Sequence, residues 1–278
     1  MNATSLKTLF LAWQDYQSRL WFPVGRLTFD GEVYTFVYIK GAKQAQHQCG
    51  FEPLMSFPKW SRVYRSTELF AFFTNRVMPQ SRPDYRSYLS RFNLSTQNLD
   101  LMEFLGRTQG KRQTDNFKIF PSPQPDNNGQ YHLFFVAHGL RYLPECSVQR
   151  MEQLEVGEPL WLAHEFHNPH DAKALTLNTE DHHILGYCPR YLVANVFDIL
   201  MRDAKSVEVK VAKVNLPPSP LKSRLLCEMT YSGFEGYVPF RHEQYQPLVE
   251  EDEAGLFHSN NGASDQSKTE SQGKSICN

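Results

Sequence analysis

The stretch from Leu160 to Leu177 constrains this chain more than any other. It reads as strand, polar turn, strand. Trp161, Ala163 and Phe166 lie at one edge of an apolar run that Ala174, Leu175 and Leu177 resume. Between them stands His167-Asn168-Pro169-His170-Asp171. Pro169 fixes its own φ and pushes Asn168 out of the helical region, which excludes a continuous helix. Asn and Asp side chains bond to nearby backbone and hold a tight turn. A rigid polar turn at the lip of a small β-fold is a place for a binding site, and equally a turn with no further role.

The 278 residues suffice for two domains of ordinary size, and 41% hydrophobic content with 20 Phe and 13 Tyr can build real cores. The net charge of −1 gives no global attraction to nucleic acid or membrane. It is unevenly spread. Residues 1–125 hold 16 basic against 9 acidic groups, residues 131–240 hold 10 against 13, and residues 241–278 hold 3 against 7. The five cysteines are scattered with no CxxC pair, so neither a disulfide framework nor a zinc knuckle is expected, and a reducing cytoplasm fits best. No basic-then-apolar leader opens the chain and no apolar run reaches membrane-spanning length, so no membrane partner is expected.

In the first half, Leu6, Leu9, Phe10, Trp13, Tyr16 and Leu20 recur at helical spacing and predict a helix over residues 1–20. Trp21–Leu27 and Val33–Ile39 read as a hairpin about Phe29-Asp30-Gly31-Glu32. Gly41–Gln48 reads as a short helical turn. Further helices are expected over Glu68–Asn75, from Ser81 or Pro83 to Phe92, and over Leu99–Leu105, ended by Gly106. Phe117–Pro121 reads as a strand and Pro121–Gly129 as a linker. The expected class is α+β, a hairpin or small sheet plus helices. Arg82, Arg86, Arg91, Arg107, Lys111 and Arg112 form a basic set suited to nucleic-acid backbone or to a merely solvated face.

In the second half, strands are expected at His132–Ala137, Leu160–Glu165, Ala174–Leu177, Ile184–Cys188, Val207–Val214 and Arg224–Tyr231, with His182-His183 at a hairpin tip. One helix is expected over Tyr191–Arg202, opened by Pro189. Six short strands and one helix predict a mainly β, small barrel-like domain with the helix capping one end. The tail from Glu250 carries an acidic run and no periodicity, which predicts disorder.

Two resemblances follow from these residues. Val24-Gly25-Arg26-Leu27, Phe36-Val37-Tyr38, Pro53-Leu54 with Phe57-Pro58, Phe72-Phe73 with Asn75 and Pro79, and Asp100-Leu101-Met102 with Leu105-Gly106 occur in the order seen in the N-terminal subdomain of HipA-family proteins. Those are kinases of bacterial toxin–antitoxin modules, and the similarity covers residues 20–122. No Gly-rich phosphate loop with a following Lys appears, so no kinase activity is expected. Gly139-Leu140-Arg141-Tyr142, then Glu165 with Asn168-Pro169-His170-Asp171 and Ala174-Leu175, then Leu185-Gly186-Tyr187-Cys188-Pro189-Arg190 resemble the HIRAN domain. On these resemblances residues 1–122 are a HipA-N-like module, 123–130 a linker, 131–240 a HIRAN domain and 241–278 an acidic disordered tail.

The HIRAN resemblance implies DNA binding, with a free single-stranded 3′-hydroxyl end as the ligand. It places Arg141 at phosphate, Tyr142 in a base stack, Asn168 in the turn or on the nucleotide, and Asp171 on the terminal hydroxyl. Tyr187 and Arg190 line the backbone side. His170 stands where a eukaryotic domain carries Tyr and offers a smaller stacking face. Each residue also has a plainer reading. Arg141 can pair with Glu145, Tyr142 and Tyr187 can be barrel packing, and Asp171 can merely cap the turn. His164, His167 and Glu165 do not form an HExxH metal motif, and two acidic residues are too few for two-metal nuclease chemistry. No cofactor, metal or enzymatic activity is expected. The overall expectation is a bacterial, cytoplasmic DNA-binding adaptor. The other reading is a protein–protein regulator, docking a separate HipA-like kinase or a DNA-processing enzyme in a toxin–antitoxin or phage-defence module.

Overall fold

A computed structural model describes residues 6–97 and 99–249. The first sheet is antiparallel. It joins β1 (Lys7–Gln14), β2 (Trp21–Phe29), β3 (Tyr34–Tyr38), β4 (Tyr64–Ser66) and β5 (Phe117–Pro121) in the order β4-β3-β2-β1-β5. The hairpin turn forms where expected, with the Asp30 carboxylate accepting from the backbone N–H groups of Glu32 and Val33.

The helix expected over residues 1–20 is instead strand β1, among its described residues. The reason is two-sided burial. Leu9 and Leu11 enter the core beneath the helices of the first domain, while Phe10 and Ala12 enter the core of the second. A strand buried on both faces shows an unbroken apolar run rather than alternation, and such a run looks the same as a buried helix.

Four helices lie over the first sheet: α1 (Lys40–Cys49), α2 (Ala71–Thr74), α3 (Tyr85–Ser90) and α4 (Leu101–Thr108). The second and third are shorter than their apolar patterns suggest. The fourth begins at an Asp100 cap, whose carboxylate accepts from Met102 and Glu103 N–H, and it runs through Gly106 rather than ending there. A Cβ on Gly106 would lie 3.2 Å from Leu9, so this glycine serves close helix–sheet approach. The left-handed residue that ends the helix is Gln109.

The second sheet joins β6 (Gln130–Val136), β7 (Pro159–His164), β8 (Leu175–Asn178), β9 (Ile184–Tyr187), β10 (Glu208–Val214) and β11 (Leu225–Ser232). Its order is β6-β11-β10-β7-β8-β9, antiparallel throughout. The sheet curls as a half-barrel. Just past β6, His138 exchanges two 2.9 Å backbone bonds with Tyr187 at the other edge. Helix α6 (Arg190–Asp203) buries Leu192, Val193, Val196 and Ile199 in the curl. A further helix, α5 (Glu145–Glu152), was not expected. It buries only Ser147 and Met151, four residues apart, too few to stand out as a periodic pattern.

The two sheets share cores rather than hanging from a string. Phe120 stacks on Tyr191 with centroids 4.5 Å apart, and the Gln109 side-chain amide donates to the Tyr191 hydroxyl over 2.9 Å. Asn93 donates to the Ala212 carbonyl and Asn215 to that of Arg91. The expected linker is a tied turn: Ser122 N–H bonds to the Thr8 carbonyl, and the Asp126 carboxylate accepts from Asn128 and Gln130 N–H. Within the stretch assigned to a tail, the Gln246 carbonyl accepts from Lys40 N–H and Leu248 N–H donates to the Tyr38 carbonyl, which fastens residues 246–248 to the first domain. The acidic stretch from Glu250 lies outside the described residues.

Candidate nucleic-acid interface

The turn between β7 and β8 is closed by the Glu165 N–H donating to the Ala174 carbonyl over 3.0 Å. Within it the Asn168 side chain makes three bonds. Its carbonyl oxygen accepts from His170 N–H (2.9 Å) and Asp171 N–H (3.0 Å), and its amide donates to Glu165 Oε2 (2.7 Å). This is the local Asx chemistry that the Asn-Pro-His-Asp spacing predicts. Pro189 then starts α6 and sets Arg190 in its first turn. From there Arg190 Nε donates to Asp171 Oδ2 at 2.7 Å, and Nη2 to the His170 carbonyl at 2.8 Å. Asp171 Oδ1 accepts from Lys173 N–H at 3.0 Å. The cap reading of Asp171 therefore describes one carboxylate oxygen, and the Arg190 pair describes the other. Each oxygen keeps acceptor capacity.

Tyr187 stands beside this turn. Its hydroxyl faces Glu165, and burial together with that carboxylate holds its pKa above the usual tyrosine value. Its ring lies against Gly139, where φ is +77° and a Cβ would come within 2.6 Å of the ring. Gly139 is thus required twice, for its backbone conformation and for the contact. Immediately after it, Leu140–Tyr142 form one turn of 3-10 helix that buries Leu140 and exposes Arg141 and Tyr142. Tyr142 is 81% exposed, so it does not pack in the barrel. Arg141 lies over its ring at 6.0 Å, and the alternative pairing with Glu145 does not form.

The seven residues singled out in the sequence fall in two adjoining places. Asn168, His170, Asp171 and Arg190 form a rim whose bonds interlock. Arg141 and Tyr142 line a separate cleft of about 450 Å3 between the two domains, and Asp171 and Arg190 do not. Tyr187 stands between rim and cleft. Phe166, 76% exposed beside His164, is a further flat face at the rim; its apolar character suggested burial.

Sequence reasoning did not assemble the cleft. Arg19, Arg91, Lys111, Lys118, Arg141 and Lys222 line it, and no Asp or Glu does, among the described residues. Lys118 is 9% exposed, and its Nζ lies 2.7 Å from His138 Nε2. Burial and the nearby Lys111 push the Lys118 pKa down to about 7. Burial and Lys118 push His138 well below the ordinary histidine value, so the imidazole is neutral and accepts from the lysine. Partial desolvation in the cleft first, then Lys222, Arg141 and Arg19, lower the Lys111 pKa, although the residue stays exposed to solvent. The only advance signal was the positive surplus of residues 1–125. Of the basic set noted there, Arg91 and Lys111 reach the cleft. Arg82 pairs instead with Asp84, and Arg107 with Glu103.

Against known proteins, residues 130–232 match the family model for the HIRAN domain. This stretch is similar to the HIRAN domain. The match leaves the region of the HipA-like resemblance outside it. A crystal structure of a Lactobacillus plantarum protein is 24% identical, covering 37% of this chain and 97% of that one, with a TM-score of 0.29. The crystal structure of the HIRAN domain of human HLTF is 19% identical, covering 38% and 81%, with a TM-score of 0.28. No curated protein matches the chain. Among the described residues no group of three or more His, Cys, Asp or Glu is placed to hold a metal ion, and no helix is long and apolar enough to cross a membrane.

Proposed function

We propose that this protein is a non-catalytic DNA-binding adaptor whose HIRAN domain holds a single strand by its free 3′-hydroxyl end. DNA binding is the activity associated with HIRAN domains, and 3′-end capture is the finer reading. The observation that carries it is the Asp171 carboxylate, fixed by Arg190 and the Asn168 turn at a rim that also exposes Phe166 and His170. A fixed carboxylate accepts from a hydroxyl and repels a terminal phosphate. His170 and Phe166 at the rim and Tyr142 at the cleft mouth offer flat faces to bases, and stacking on them is indifferent to sequence. Arg190 is occupied in bracing Asp171, so its role is to position the acceptor rather than to reach along the backbone.

The test is fluorescence anisotropy with short single-stranded DNA ending in a 3′-hydroxyl or a 3′-phosphate. The hydroxyl end should bind more tightly, and Asp171→Ala should erase the difference. Equal affinity of the two ends for the unsubstituted protein would sink end capture.

A further inference from the structure

We infer that the cleft between the two domains carries the phosphodiester backbone of the same strand. Arg19, Arg91 and Lys111 of the first domain and Arg141 and Lys222 of the HIRAN domain face its phosphates. This deepens the function proposed above and rests on it, but its residues are different and most lie outside the HIRAN domain.

Three observations support it. First, the cations converge without neutralisation: among the described residues none of these five forms an ion pair, and no carboxylate lines the cleft. Like charges gathered at a partly enclosed surface repel one another, and an anion reverses that cost. Second, the floor holds Lys118, a buried amine whose one hydrogen-bond partner is the neutral His138 ring. Such a group gains most from an anion placed above it. Third, the cleft adjoins the rim. Gly139 lines it and packs on the Tyr187 ring, and Tyr187 faces Glu165, which holds Asn168. A strand fixed at Asp171 thus reaches the cleft past Glu165 and Tyr187. Several separate cations suit a repeating charge better than one small anion.

The experiment uses the full chain and a covalently closed circular single strand, which has no end to capture. The circle should bind with an affinity that falls steeply with salt. Lys111→Ala/Lys222→Ala should weaken it at least tenfold and lower the slope of log K against log salt by about 0.7 for each cation removed. Arg91→Ala should act in the same direction. Both lysines are exposed, and an unchanged thermal melt checks the fold. A circle that does not bind, or one that binds the double variant equally well, overturns the inference. So does a melt raised by pyrophosphate alone with no circle binding, which would mark a small-anion site. Loss of the 3′-hydroxyl preference with circle binding intact would instead count against end capture and leave the cleft standing.

Discussion

The rim and the cleft adjoin each other and handle charge in opposite ways. At the rim each charge has a partner: Asp171 with Arg190, and Glu165 with Asn168. The result is a stiff acceptor whose cost is met within the fold. In the cleft six cations share the space with no acid among the lining residues, and one of them is buried. That arrangement costs stability in the free protein and is relieved only by something from outside. The comparison teaches that a satisfied polar cluster specifies geometry, whereas an unsatisfied one specifies a ligand's charge.

The largest effect is expected at Lys118. Its pKa is about 7 in the folded protein against an ordinary 10.5, so the unfolded chain binds more protons between these values. Stability therefore rises with pH across this window, and the cost of the buried charge is fully present below about pH 7. The upper bound is about 5 kcal/mol, from ~1.4 kcal/mol per pKa unit. Lys118→Met should raise Tm most at pH 6, with the gain fading as pH approaches 10.5. The groups facing Lys118 are Lys111, His138, Trp21 and Tyr191, and none is an anion. A melting series that shows no pH-dependent gap between the two proteins would mean that the cleft charge is not held at a cost.

Next in size is Arg190→Ala, which removes both bonds that brace the rim. Loss of a hydrogen bond to a charged group is worth about 1.5–3 kcal/mol, so the preference for a 3′-hydroxyl should fall roughly 10- to 100-fold. Binding of the circular strand should be unaffected, because Arg190 does not line the cleft. If both ligands weaken together, rim and cleft are one site. The smallest effect is expected for Tyr142→Ala. A lone exposed ring contributes about 1 kcal/mol, the low end for stacking on one base, and Tm should not move. A measurable drop in Tm would assign Tyr142 to packing after all.

How far the residue order could be read depends on how local each feature is. The turn Asn168-Pro169-His170-Asp171 was legible because its bonds span two or three residues and each residue type has few alternatives. The same holds for the Asp30 hairpin turn and for α6, whose Pro189 start and apolar stripe lie within the element. β1 was not legible. Its helical periodicity is real, but two cores on opposite faces outweigh it, and neither core is visible from residues 7–14. α5 was hidden because it buries one methionine and a serine on an otherwise solvated segment.

By itself, then, the order of residues determined the curled second domain, the rim turn and the place of Asp171 within it, since period-two alternation, Pro restriction and Asx bonding act over short spans. Only the tertiary structure decided that Arg190 braces Asp171, that residues 122–129 are tied rather than free, and that Lys118 lies buried against His138. It alone brought Arg19, Arg91 and Lys111 opposite Arg141 and Lys222. Charges far apart along the chain carry no mark of meeting, because the force that brings them together is the burial of Phe10, Phe120 and Tyr191 between the sheets and not any attraction of their own.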